Sequence, residues 1–135
     1  MTRKTHVSLG IALTLPLLTN RVVNAYAVLG LLGSLAPDWD FKLYIPHRTL
    51  THCLLTLSLS TYLIYNLNID ICISWFLNYF LHLFADSLTK RGIPLFYPFS
   101  RKYYGARLFK TGGIMDFLLF LFSILFILIQ LKYVK

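Results

Sequence analysis

The chain contains no glutamate. Its five acidic residues are all aspartate, and charged residues make up only 13% of the 135 positions, against roughly 25% in ordinary soluble domains. That is too little charge to cover a soluble surface. Cysteine is also scarce. Cys53 and Cys72 sit in apolar runs and do not form a CxxC pair, so a cysteine metal site is excluded. A bridge between them stays open, but buried free thiols are the expected state. There is no GxSxG nucleophile elbow and no glycine-rich phosphate loop, which removes serine-hydrolase and nucleotide-cradling chemistry. No internal repeat and no low-complexity linker divides the chain, so one domain over residues 1–135 is expected.

What the chain has is apolar surface and positive charge. Hydrophobic residues make up 57%, and thirteen Lys and Arg give a net charge of +8. The apolar content is too high for a soluble basic domain, so no nucleic-acid partner is expected. A small integral membrane protein with a basic face fits, and its partner is membrane lipid with anionic headgroups. Residues 50–69, 71–88 and 114–131 are each close to the roughly 20 apolar residues a spanning helix needs. Two shorter runs precede them, 7–19 and 22–36, and read as a helical hairpin that crosses by tilting or by thinning the bilayer. The expected fold is an all-α integral membrane protein of about five helical segments, three clear spans plus the shorter N-terminal hairpin. The N-terminus also carries the basic start, short apolar core and Ala25-Tyr26-Ala27 of a signal peptide. Arg21 interrupts that pattern and the site is far downstream, so the segment is expected to stay, and His6 with it.

Five crossings sort the polar residues. His6 opens the first segment, Pro37-Asp38-Trp39-Asp40 closes the second, and the stretch from His47 to His52 opens the third. His82 and Asp86 end the fourth, and Asp116 opens the fifth. All these ends fall on one side, which gathers all four histidines and every aspartate except Asp70. Arg3, Lys4, Lys42, Arg48, Lys90, Arg91, Arg101, Lys102, Arg107 and Lys110 fall there too, against Arg21, Lys132 and Lys135 on the other. By the positive-inside rule the His/Asp face is cytoplasmic, in a multi-pass protein of the inner membrane.

The chemistry of that face is metal chemistry. His82 and Asp86 are at i and i+4 and project from one helix face. Asp38 and Asp40 are two apart, which aims both the same way in an extended segment. His47 and His52 do not share a helix face, so His47 is placed in the approach to the span and His52 in its first turn, with Thr49 a candidate N-cap. Imidazole and carboxylate together suit Zn²⁺ best, with Mn²⁺ or Fe²⁺ also served, and the number of donors admits one or two ions. Asp40 and His47 read as a further ligand, a group behind a ligand, or a catalytic base. Arg48 reads as the group that stabilises developing negative charge. Asp116 reads as an acid favoured at a helix N-terminus. Lys90, Arg91, Arg101, Lys102, Arg107 and Lys110 alternate with aromatics in a loop shaped by Pro94, Pro98, Gly105 and Gly112-Gly113. They read as a membrane anchor and, more sharply, as a lid that gathers phosphate or lipid headgroups.

Residues 5 to 113 carry HVSLG, APDWD, HRTLTH and HLFADSLTKRGIPLFYPFS in that order. This combination resembles the LexA-regulated, membrane-bound metal-dependent hydrolases, often called YdjM-like. The resemblance implies an inner-membrane hydrolase that uses a divalent metal. The order His, Asp, His, His-x-x-x-Asp is also similar to the zinc-dependent phospholipase C and P1 nuclease group, all-helical enzymes that split phosphodiesters. Carried over residue by residue, His6, Asp38, His52, His82 and Asp86 match as metal ligands. The later histidine ligands of that group have no counterpart here, so three ions are not expected. A non-catalytic membrane scaffold with a structural metal is the rival reading, since closed coordination would serve it equally.

Overall fold

The structure is a computed structural model that describes residues 1–41 and 48–133. Four α-helices form: α1 (Arg3–Thr19), α2 (Leu54–Tyr65), α3 (Ile69–Ser87) and α4 (Ile114–Tyr133). Three 3-10 segments accompany them at Ala25–Ser34, Ala36–Phe41 and Leu50–His52. Among the described residues there is no strand, only two isolated bridges, Thr89 with Phe109 and Ile93 with Tyr104. The all-helical expectation holds.

The expectation of three clear spans does not hold at the same strength. Among the described residues α4 alone is long and apolar enough to cross a bilayer, with 20 residues and a mean hydropathy of 2.6. At about 1.5 Å per residue it reaches roughly 30 Å. The apolar run 50–69 yields only the 12 residues of α2. Its first turn is diverted because Thr51 and His52 are turned inward and fully or nearly buried, and Cys53 is extended before the helix begins. Polar side chains with inward partners outrank the local preference for helix.

The run 22–36 forms a ten-residue 3-10 helix. That is long for this geometry, in which residues three apart eclipse one another. The sequence supplies the reason. Ala27, Gly30, Gly33 and Ala36 recur every third position and all are buried, so small residues line one face. That face lies directly on α3. A methyl group built on Gly30 would sit 2.6 Å from the Trp75 backbone nitrogen, and one on Gly33 would sit 2.6 Å from the Trp75 carbonyl oxygen. A 3-10 rise of about 2.0 Å per residue also stretches ten residues to roughly 20 Å, further than an α-helix of that length.

The contacts fix the directions of the segments. Thr5 meets Asp116, Ser8 meets Ser123 and the Ala12 carbonyl meets Gln130, so α1 and α4 run parallel. Gly30 lies against Ser74 and Ser34 against His82, so segment 25–34 runs parallel to α3. Thr14 pairs with Asn78 while His6 approaches Asp86, so α1 opposes α3. Ser60 pairs with Trp75 and the Thr51 carbonyl with Tyr79, so the α2 side opposes α3 as well. The starts of α1, α2 and α4 and the ends of segment 25–34 and α3 therefore share one end of the bundle.

Residues 88–113 close that end as a folded strap. Ile93 and Phe109 are buried and plug it into the bundle. Backbone bonds from Ala106 to Ser87, Leu108 to Leu88 and Leu54 to Leu95 hold it down. Asp116 accepts hydrogen bonds from the Thr2 and Gly112 N–H groups and from the Thr5 hydroxyl. It ties the starts of α1 and α4 together, in keeping with its reading as a helix N-terminal acid.

Candidate metal centre

Four short stretches supply the centre. His6 comes from the first turns of α1, Asp38 and Asp40 from segment 36–41, His52 from segment 50–52, and His82 and Asp86 from the last two turns of α3. All six are buried. His82 Nδ1 lies 2.7 Å from the Ser34 carbonyl oxygen. A carbonyl can only accept, so Nδ1 carries the proton and the Nε2 lone pair is directed inward. His52 is fixed in the same sense by two steps. The Thr51 hydroxyl donates to Asp40 Oδ2 at 3.2 Å, so its oxygen accepts from His52 Nδ1 at 3.1 Å. The Nε2 of His52 therefore also presents a lone pair. His6 stacks on His82, with ring centroids 3.6 Å apart and planes 11° from parallel.

The presented atoms converge. His6 Nε2 is 3.3 Å from Asp86 Oδ1, and His52 Nε2 is 3.6 Å from Asp86 Oδ2. Asp38 Oδ1 is 3.9 Å from His52 Nε2 and 3.8 Å from His82 Nε2. Four ligands bound tetrahedrally at about 2.0–2.1 Å stand about 3.3–3.4 Å apart, so these separations are those of neighbouring ligands slightly expanded. Two triads can each hold an ion, His6 with His82 and Asp86, and Asp38 with His52 and His82. His82 belongs to both, yet it offers only Nε2. A single imidazole nitrogen binds one ion, so the two triads adjoin at His82 and compete for it.

The buried polar atoms test the fit independently. Both ring nitrogens of His6 and Nε2 of His82 have no hydrogen-bond partner. Buried donors and acceptors without partners cost about 1–3 kcal/mol each. A cation here would take up one nitrogen of each ring and neutralise the carboxylates. The His/Asp groups are able to hold a metal ion.

Arg48 is the cation the structure places beside this set. Its NH2 group is 2.8 Å from Asp86 Oδ2, and its NH1 donates to Thr89 Oγ1 and the Gly92 carbonyl. Its own N–H donates to Asp40 Oδ2, and its carbonyl accepts from the Tyr103 hydroxyl. Arg48 adopts φ 61°, a left-handed conformation that costs about 1 kcal/mol or more in a residue with a side chain. These backbone and guanidinium partners hold it there. The α-amino group of Met1 also contacts Asp86 Oδ1, so this carboxylate draws positive charge from two directions.

The structure thus brings His6, Asp38, His52, His82 and Asp86 together, with Asp40 behind His52 and Arg48 beside Asp86. His47 lies outside the described residues. Lys90, Arg91, Arg101, Lys102, Arg107 and Lys110 are all exposed on the strap and do not join the buried cluster. Three contributors escaped the sequence reading. Ser34 acts through its carbonyl, which no side-chain pattern reveals. Thr51 and Thr89 each sit beside a ligand motif, in Thr51-His52 and three residues after Asp86, and hydroxyls at such spacings are a usable signal for ligand orientation.

Comparison with curated proteins finds no match, and comparison with solved structures finds none. The family model described as YdjM inner membrane protein matches residues 1–134, a span that takes in every residue of the buried His/Asp set and the apolar helix α4, and on that match the chain belongs to the YdjM inner membrane protein family.

Proposed function

We propose that this chain is a multi-pass hydrolase of the inner membrane that holds one divalent ion, Zn²⁺ by preference, at the cytoplasmic end of its bundle and cleaves a phosphoester or other ester-like bond at headgroup level. The observation that supports this reading is the pair of buried His/Asp triads that adjoin at His82, with an anchored guanidinium at their edge. When bound, such an ion supplies a water of lowered pKa and a positive charge for an oxygen of the scissile group.

The residues of the chain do the rest. The Ser34 carbonyl holds the His82 ring with its inner nitrogen deprotonated. Asp40 and Thr51 hold His52 in the same state, so Asp40 acts through His52. Arg48, braced by Thr89 and Gly92, keeps a fixed positive charge where negative charge develops on the substrate, a kind of stabilisation that costs no reorganisation during reaction. The exposed cations of the strap draw anionic headgroups to this end of the molecule. His47 precedes Arg48 in the chain and is the base of this reading.

A structural metal is the second reading, and one observation favours it. Every donor is less than one-tenth exposed, the closed state expected where an ion only ties helix ends together. Hydrolysis separates the two. Purified protein loaded with Zn²⁺ in detergent micelles is expected to cleave bis(p-nitrophenyl) phosphate or a carboxylic ester analogue, and Asp38→Asn is expected to abolish the activity. Full metal occupancy with no turnover on either probe would make the metal a staple.

The orientation has its own test. A reporter inserted at Leu67, between α2 and α3, is expected to read external, and one at Lys102 in the strap cytoplasmic. The reverse result would overturn the orientation, and two identical readings would overturn the odd number of crossings between them.

A further inference from the structure

Two apolar grooves flank one ridge of α1. Arg3, Lys4, Val7 and Ile11 lie at i, i+1, i+4 and i+8, along one face. On one side of the Val7–Ile11 ridge a groove of about 360 Å³ runs between α1 and α4, walled by Phe120 and Ile124. On the other side a groove of about 240 Å³ runs between α1 and segment 25–34, walled by Val28, Leu32 and Leu35. Both are almost wholly apolar, and both follow the bundle axis.

The first groove shares Arg3, Lys4 and Phe120 with a cleft of about 520 Å³. Gly112, Gly113 and Asp116 close the far wall. The Asp116 carboxylate is taken up by its three donors, and the Gly113 N–H is bonded to the Lys110 carbonyl. The cations that line this cleft are Arg3 and Lys4, both exposed. Arg3 Nε also lies 3.8 Å from Asp38 Oδ2, so the cleft is one carboxylate away from the metal centre.

We propose that these three spaces form the seat of a single anionic glycerophospholipid, with its phosphate on Arg3 and Lys4 and its two acyl chains straddling the Val7–Ile11 ridge. Three features select that occupant. Paired grooves of unequal size match a molecule with two chains. A cationic rim above apolar walls matches a charged head on an apolar body. The run from Lys4 to Ile11 extends about 10 Å along the helix, which takes the upper part of each chain and leaves the remainder in bulk lipid. The inference rests on the membrane-hydrolase reading above, which makes this lipid the substrate, because Arg3 brings its phosphate end to Asp38.

The test reads binding without turnover. The full chain is taken from vesicles of equal phosphatidylglycerol and phosphatidylcholine, and the lipid retained per chain is counted by native mass spectrometry. One phosphatidylglycerol per chain is expected, with phosphatidylcholine at least tenfold lower. Lys4→Glu is expected to erase that preference, and Ile11→Trp, which adds bulk to the ridge that both grooves share, to reduce retention of either lipid about tenfold while leaving metal content unchanged. Asp86→Asn, inert if the metal reading is right, is expected to retain phosphatidylglycerol as wild type does. A failed hydrolase assay thus leaves this result standing, and a failed seat leaves the metal result standing. Equal retention of the two lipids by wild type, or full retention by Ile11→Trp, would overturn the proposal.

Discussion

Asp86→Asn and His82→Ala are each expected to strip the purified protein of nearly all its metal, while Asp70→Asn leaves the content unchanged. Asp86 lies on both sides of the donor set, with Oδ1 toward His6 and Oδ2 toward His52. Asparagine keeps its shape but removes the negative charge that attracts the ion. His82 contributes the one nitrogen common to both triads, so alanine there dismantles each of them. Asp70 accepts from the Asn24 side chain at the opposite end of the bundle and is the matched control. Groups behind the ligands should fall between these extremes. Asp40→Asn and Thr51→Val free the His52 ring to adopt the wrong tautomer, and changes of that kind cost about 10–100-fold in affinity. The measurement is metal per chain after dialysis against a graded series of chelator. Because Asp86→Asn also leaves the Arg48 guanidinium buried without its anion, the same series is run on Asp38→Asn, whose partners include the surface-reaching Arg3. If Asp86→Asn, His82→Ala and Asp38→Asn all hold metal like wild type, the buried cluster is a polar packing motif and the metal-centre reading fails.

The grading follows from what the sequence could and could not reveal. Spacing alone put His82 and Asp86 on one helix face, and the parity of five segments brought His6, Asp38 and His52 to the same end. Both inferences need only helical period and chain direction, which are local properties. The division of labour among the gathered residues is not local. Asp40 stands behind His52 because Thr51 intervenes between them, and that depends on how two 3-10 segments dock. The basic strap read as a shaped loop, an anchor and a lid, because its Pro and Gly content marks irregular backbone. Its anchors, Ile93 and Phe109, are single apolar residues without periodicity and carry no signal. The length of α2 was misjudged for a related reason. Apolarity across 50–69 shows where lipid or core is tolerated, but the inward pull on Thr51 and His52 decides where the helix starts. The 3-10 form of segment 25–34 was legible in principle, in the small residues at 27, 30, 33 and 36, a period of three that an α-helical template passes over.

Arg48→Met is the substitution expected to separate building the site from using it. The side chain is buried and makes three polar contacts, with Asp86, Thr89 and Gly92. Methionine keeps comparable length and the same backbone strain while removing the charge. In protein stripped of metal, Asp86 then loses a buried cationic partner, and breaking such a pair costs about 3–5 kcal/mol. A lower melting temperature is therefore expected. A divalent ion supplies positive charge to the same carboxylate, so metal should restore more stability to Arg48→Met than it adds to wild type. Metal affinity itself should hold or rise, because a guanidinium 2.8 Å from Asp86 Oδ2 both repels the ion and competes for its ligand. Hydrolysis should move the other way. Removing a fixed donor aimed at developing charge lowers turnover by about 10²–10³, with metal occupancy intact. Thermal melts with and without Zn²⁺, chelator competition and turnover on the same preparations read all three effects. Loss of metal comparable to that of Asp86→Asn would mean that Arg48 only braces the ligands. Stable, metal-replete and inactive protein would place the guanidinium in contact with the reacting group, since no purely structural role removes turnover while leaving the donor set filled.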